Sequence, residues 1–68
     1  MFSNTLESLG QLYFNIGNIE KSRIFYEKAI QINPFNPYVH TRLITIYKKL
    51  GWEKESKLQT KLFEYINH

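Results

Sequence analysis

Leu6-Glu7-Ser8-Leu9-Gly10-Gln11-Leu12-Tyr13-Phe14-Asn15-Ile16-Gly17 is answered, 34 positions on, by His40-Thr41-Arg42-Leu43-Ile44-Thr45-Ile46-Tyr47-Lys48-Lys49-Leu50-Gly51. Leu9 falls on Leu43, Leu12 on Ile46, Tyr13 on Tyr47, Ile16 on Leu50 and Gly17 on Gly51. The register continues outward without a gap. Ser22 meets Ser56, Ile24 meets Leu58, Ile32 meets Ile66 and Asn33 meets Asn67. The matched positions are mostly apolar residues and turn residues, which set a backbone path rather than a chemistry. Self-similarity at a fixed period of this size marks stacked supersecondary units.

Within each half the apolar spacing is helical. Leu6, Leu9, Leu12/Tyr13 and Ile16 recur every three or four residues, the stripe of an amphipathic helix. Gly17 can take the left-handed conformation that ends such a helix, and Asn18 is a good cap for the next. A second stripe runs through Ile19, Ser22, Phe25/Tyr26, Ala29/Ile30 and Ile32. It stops at Asn33-Pro34, because proline disfavours helical geometry in the residue before it. Asn36-Pro37 restarts a helix, with a cap and then proline at the first helical position. The third helix is expected to run to about Leu50 and end at Gly51, and the fourth to span roughly 53–66. No segment alternates with period two. The expected fold is all-α, with four antiparallel helices in two hairpins.

The 68 residues make one small domain, near the lower limit for a chain that folds on its own core. The composition is that of a globular chain, and the net charge of +3 is mild. With no cysteine in the chain, disulfides, thiolate metal sites and cysteine nucleophiles are excluded. No apolar run reaches the roughly 18 residues a membrane span needs. Met1-Phe2-Ser3-Asn4 lacks the basic and apolar stretches of a signal peptide. A cytoplasmic protein is the expectation.

The two units resemble the tetratricopeptide repeat (TPR), over essentially the whole chain, at about 3–36 and 37–68. The first unit carries Leu6, Leu9-Gly10, Tyr13, Gly17, Ser22, Tyr26, Ala29 and Pro34 at the family's spacing. Small Gly10 and Ser22 let the helices of a hairpin approach, Tyr13 and Tyr26 fill the space beside them, and Ala29 admits the next helix. The second unit keeps Leu43, Tyr47, Gly51 and Ser56 but has His40 at the large position and Ile44 where a small residue is usual. Thr60 and Phe63 replace the aromatic and the alanine, a rough exchange of volume with Tyr26 and Ala29. Phe63 then stands where a following helix normally packs, so this unit is expected to end the array, as an atypical terminal unit, or to meet a different kind of neighbour.

The resemblance implies a fragment of an α-solenoid whose first helices line a concave groove for an extended peptide or a partner helix. Carried over by position, the groove would show Asn4, Glu7, Gln11, Phe14 and Asn15 from the first unit. Tyr38, Thr41, Arg42, Thr45, Lys48 and Lys49 would come from the second. Some relatives grip a terminal carboxylate there with lysines and asparagines. Glu7 stands where such a clamp has lysine and Gln11 where it has asparagine, and only Arg42 matches, so no carboxylate clamp is expected. The implied function is a scaffold or interaction module for a protein partner, without a cofactor.

The fourth helix is apolar over a wide arc through Leu58, Leu62, Phe63, Tyr65 and Ile66, with Trp52 at the preceding turn. Contiguous apolar surface of this kind marks interfaces. Two units are also fewer than the roughly three a free-standing array needs. The expectation is an excerpt of a longer array or self-association through this helix, with structural self-assembly as the alternative function.

Catalysis and metal binding find no support in the pattern. His40 belongs inside a hairpin and His68 is the last residue, and neither has a second ligand at metal spacing. The glutamates are isolated, the serines have no base nearby, and no phosphate-binding glycine loop is present. Lys54, Lys57 and Lys61 share a helical face, but Glu53 and Glu64 temper it, and Glu53 and Lys57 are spaced for an ion pair. No nucleic-acid partner is expected.

Overall fold

In the computed structural model, which describes residues 3–66, four helices follow one another: α1 (Ser3–Asn15), α2 (Ile19–Ile32), α3 (Pro37–Leu50) and α4 (Glu53–Ile66). The two hairpin turns are copies of each other. Gly17 and Gly51 adopt φ of 88° and 76°, the left-handed conformation that costs glycine little. In the first turn the Gly17 amide donates to the Phe14 carbonyl and the Asn18 amide to Tyr13. In the second, Gly51 donates to Lys48 and Trp52 to Tyr47. Carbonyls that the helix end would leave without partners are thereby satisfied.

Helix starts are capped as their sequence suggests. The Asn18 side chain accepts from the Lys21 amide at 3.2 Å. Asn36 accepts from the amides of Tyr38 and Val39 at 3.0 and 3.4 Å, and Pro37 follows at the first helical position. Between the hairpins, the Asn33 side chain accepts from the Phe35 amide and bends the chain from α2 into α3.

The core sits where the hairpins meet. Leu6, Tyr26, Ala29, Val39, Leu43, Ile46 and Tyr47 are all at most 5% exposed, with Phe14, Ile19, Phe25, Ile30 and Leu50 packed around them. Most of these side chains come from α2 and α3, so the junction between units is the best-covered part of the molecule. Within the first hairpin, a Cβ on Gly10 would stand 2.9 Å from the ring of Tyr26. The Ser22 hydroxyl donates to the Gly10 carbonyl at 2.7 Å. Close approach of α1 and α2 thus depends on both small residues.

This geometry adds a second exchange of volume to the one expected in the second unit. Tyr26 packs against Gly10 across the hairpin, so this exchange runs between helices. By the 34-residue register, Ile44 and Thr60 occupy the places of Gly10 and Tyr26. In this second exchange the bulk moves from α2's counterpart to α1's counterpart.

Candidate functional site

α1 and α3 lie side by side and are joined by side chains rather than by close backbone contact. The guanidinium of Arg42 stands 4.7 Å from the ring centre of Phe14 and 5.6 Å from that of Tyr38. Its Nε donates to the Tyr38 hydroxyl at 3.5 Å. That hydroxyl donates to Gln11 Oε1 at 3.3 Å and lies 3.2 Å from the Tyr26 hydroxyl beneath. Cation–aromatic contact is favourable and holds a long side chain in one orientation. The bond to Tyr38 is also the largest influence holding Arg42 above the ordinary arginine value. Tyr26 is pushed well above the ordinary tyrosine range, first by burial and then by its bond to Tyr38.

Of the groove candidates, the fold brings Gln11, Phe14, Tyr38 and Arg42 into this one cluster. Asn4 and Asn15 are exposed on α1, and Glu7 is half-buried. Thr41 and Thr45 turn their hydroxyls to carbonyls of their own helix, Pro37 at 2.9 Å and Thr41 at 3.3 Å. Lys49 is exposed. Lys48 turns toward α4 and lines an open cleft of about 480 Å³ with Ser56, Lys57, Thr60, Lys61 and Glu64, because its place in the register is that of Phe14, at the edge facing the next unit.

The self-association candidates do not form one uncovered arc. Leu58, Leu62 and Tyr65 are exposed, but Phe63 is half-buried. Trp52 is 36% exposed because its ring stacks on Tyr47 at 5.7 Å and Arg23 lies over it at 4.9 Å. The side chain of Ile66 lies outside the described residues. Leu62 and Tyr65 also border an apolar cleft of about 370 Å³ with Ile30, Pro34 and Phe35.

A polar cluster at the α2–α3 junction had no signal in the periodicity. Arg23 pairs with Glu20 at 3.0 Å and with Glu27 at 2.8 Å. Glu27 also accepts from the Tyr47 hydroxyl at 2.6 Å. Burial alone would lower Arg23, but the glutamates outweigh it and the net shift is upward. Tyr47 is raised by burial and then by its bond to Glu27. Only the i,i+3 and i,i+4 spacing around Arg23 could have suggested its ion pairs in advance. The Glu53–Lys57 pair that the same rule allowed does not close.

His40, packed inside the second hairpin, ties the inter-hairpin turn to α4 through the Pro34 carbonyl at 2.6 Å and Gln59 at 2.7 Å. Its contacts are structural. No group of three potential metal ligands occurs among the described residues, and none of the described helices is long and apolar enough to cross a membrane.

The fold agrees with the family comparison. The family described as tetratricopeptide repeat matches residues 3–36, the whole first unit. No curated protein and no solved structure matches the chain. The second unit repeats the first in helix order, turn geometry and register, and the chain belongs to the tetratricopeptide repeat family.

Proposed function

We propose that this protein-interaction module holds an extended segment of a partner protein across α1 and α3. The observation that carries the reading is the cluster of Phe14, Arg42, Tyr38 and Gln11, which bridges the first helices of both units. Aromatic rings and an arginine fixed by stacking are the side chains from which interface hot spots are most often built. Orienting them beforehand lowers the entropy lost on binding.

The test selects binders from a library of unstructured peptides and maps them by amide chemical shifts. The expected result is a set of shifts centred on Gln11, Phe14, Tyr38 and Arg42. Arg42→Ala should cost at least about tenfold in affinity, roughly 1.4 kcal/mol, without loss of helicity. Shifts confined to α2 and α4 would remove the reading.

Self-assembly through α4 is the second reading. Leu58, Leu62 and Tyr65 support it, being exposed and spaced to share a helix face. Against it stand the six charged residues of that helix, Glu53, Lys54, Glu55, Lys57, Lys61 and Glu64, since charge is depleted at interface cores.

A further inference from the structure

Positive charge is unevenly placed along the chain. In the first unit Lys21, Arg23 and Lys28 balance Glu7, Glu20 and Glu27, so the chain's +3 belongs to the second. The two sets of charges also differ in their company. Arg23 is held by Glu20 and Glu27, while Lys21 and Lys28 lie over the rings of Tyr13 and Phe25. In the second unit Lys48, Lys54, Lys57 and Lys61 are all exposed and enter no ion pair among the described residues. Lys48 of α3 and Lys57 and Lys61 of α4 line one open cleft of about 480 Å³. Lys57 and Lys61 also border a second cleft of about 340 Å³, with Lys54, Glu55 and Leu58. Like charges gathered on one surface repel, and an anion between them relieves that cost.

The larger cleft also holds a hydroxyl that has lost its partner. In the first hairpin the Ser22 hydroxyl donates to the Gly10 carbonyl at 2.7 Å. Ser56 has the same place in the second hairpin and is 5% exposed, yet its hydroxyl makes no hydrogen bond among the described residues. Branched Ile44 stands where Gly10 admits the close approach. Thr60 turns its own hydroxyl to the Ser56 carbonyl at 2.9 Å, which leaves the Ser56 hydroxyl as a free donor in the cleft. A buried polar group without a partner is costly, and a ligand oxygen would satisfy it. Glu64 is the one carboxylate that lines this cleft.

From this we infer that the α3–α4 cleft binds an extended acidic segment of a partner protein. Its carboxylates lie on Lys48, Lys57 and Lys61, and one of its oxygens accepts from the Ser56 hydroxyl. Lys57 and Lys61 join the two clefts, which suits a chain of several charges better than a single ion. Leu58, 57% exposed beside the second cleft, receives an apolar side chain set among the acids. No aromatic ring borders either cleft, so the bases of a nucleic acid would have nothing to stack on. Glu55 and Glu64 at the margins repel a continuous phosphate backbone, whereas separate carboxylates can straddle them. A second copy is a poor occupant, because the chain has no aspartate and its six glutamates are dispersed. The surface shares none of Gln11, Phe14, Tyr38 and Arg42, and does not depend on the groove reading.

The test titrates the full chain with a fluorescein-labelled peptide of about ten residues, aspartates and glutamates around a central leucine. Binding is read by anisotropy and by amide chemical shifts. Saturable binding is expected, with shifts on Lys48, Ser56, Lys57, Thr60 and Lys61. Affinity should fall at least about fivefold as salt rises from about 0.05 to 0.3 M. Lys57→Gln with Lys61→Gln should weaken binding at least about fivefold. Lys21→Gln with Lys28→Gln, equal in net charge, should stay within about twofold of the starting affinity. Ser56→Ala should weaken binding about threefold and leave the melting temperature within about 2 °C of its starting value. Absence of saturable binding, equal losses from the two lysine pairs, or shifts centred on Phe14 and Tyr38 overturns the inference. So does inorganic phosphate that binds as tightly as the peptide, since the site would then hold a small anion. A single-stranded oligonucleotide of equal charge that binds the cleft more tightly also overturns it.

Discussion

The first hairpin and the second share a register, a turn geometry and a helix order, and differ in which surfaces they leave open. α3 has its apolar stripe packed against α2, while on α1 Leu12 and Ile16 of the same stripe are exposed. Hairpin closure also reaches the same end by opposite means. The first hairpin sets glycine against tyrosine, and the second has isoleucine and threonine in the corresponding places. One backbone therefore tolerates either distribution of volume, provided the two helices compensate each other. A change on one helix alone is expected to be destabilising.

The largest effect tests the covered against the uncovered stripe. Ile46→Glu places a carboxylate in a fully enclosed site and should cost about 4 kcal/mol or more. At the corresponding position, Leu12→Glu should change stability by less than about 0.5 kcal/mol. Urea denaturation of the two variants reads the difference, and similar losses would mean that α1 is covered after all.

Next in size is the hairpin interior. Gly10→Ile, which gives the first unit the residue of the second, drives a branched side chain into the Tyr26 ring and should cost about 3 kcal/mol. Adding Tyr26→Thr should make the double variant more stable than Gly10→Ile alone, in a double-mutant cycle. A purely additive cycle would break the idea of compensating volumes.

Tyr47→Phe probes the junction and should cost about 1.5 kcal/mol, because Glu27 loses a short charge-assisted bond. The pH dependence follows from the raised values of Tyr26 and Tyr47. Each hydroxyl ionises less readily folded than unfolded, so its contribution is complete below about pH 10, where free tyrosine titrates. It is then lost as the pH climbs toward the folded value. Melting temperature should therefore hold between pH 7 and 9 and fall above about pH 10, less steeply in Tyr47→Phe.

The smallest effects lie at the caps. Asn36→Ala, which removes an acceptor from two amides, should cost about 1 kcal/mol. Asn18→Ala, with one amide partner, should cost about half that. Thermal denaturation followed by far-UV circular dichroism ranks the pair, and a reversed order would contradict the capping geometry.

The helices and their boundaries were legible because caps, glycines and prolines act within a few residues of where they stand. So was the burial of Ser22, Tyr26, Ala29 and His40, which the repeat pattern assigns to helix contacts. The place of Tyr26 beside Gly10, 16 positions away and across a turn, was legible only through the family resemblance. Trp52 read as exposed surface and is exposed, but nothing in helical spacing connects it to Arg23, whose guanidinium lies over its ring. The open stripe on α1 was hidden for a related reason. Leu12 and Ile16 look like core residues in any periodicity, and only the absence of a covering helix among the described residues sets them apart from Ile46 and Leu50. Of the residues that the family resemblance assigned to a groove, Gln11, Phe14, Tyr38 and Arg42 fall in one cluster, whereas Lys48 lines a cleft beside α4.

The paired glycine turns bear on how quickly the chain finds its structure. Each closes a hairpin whose contacts are short in sequence, and topologies dominated by local contacts fold in microseconds to milliseconds. The Arg23–Glu27 pair lies within α2, whereas the Glu27–Tyr47 bond joins the two hairpins and is expected to form on the late side of the barrier. Weakening it should leave the folding limb of a chevron plot almost unmoved and raise the unfolding limb instead. The lifetime of the native state, more than the speed of reaching it, is then set at the seam between the two units.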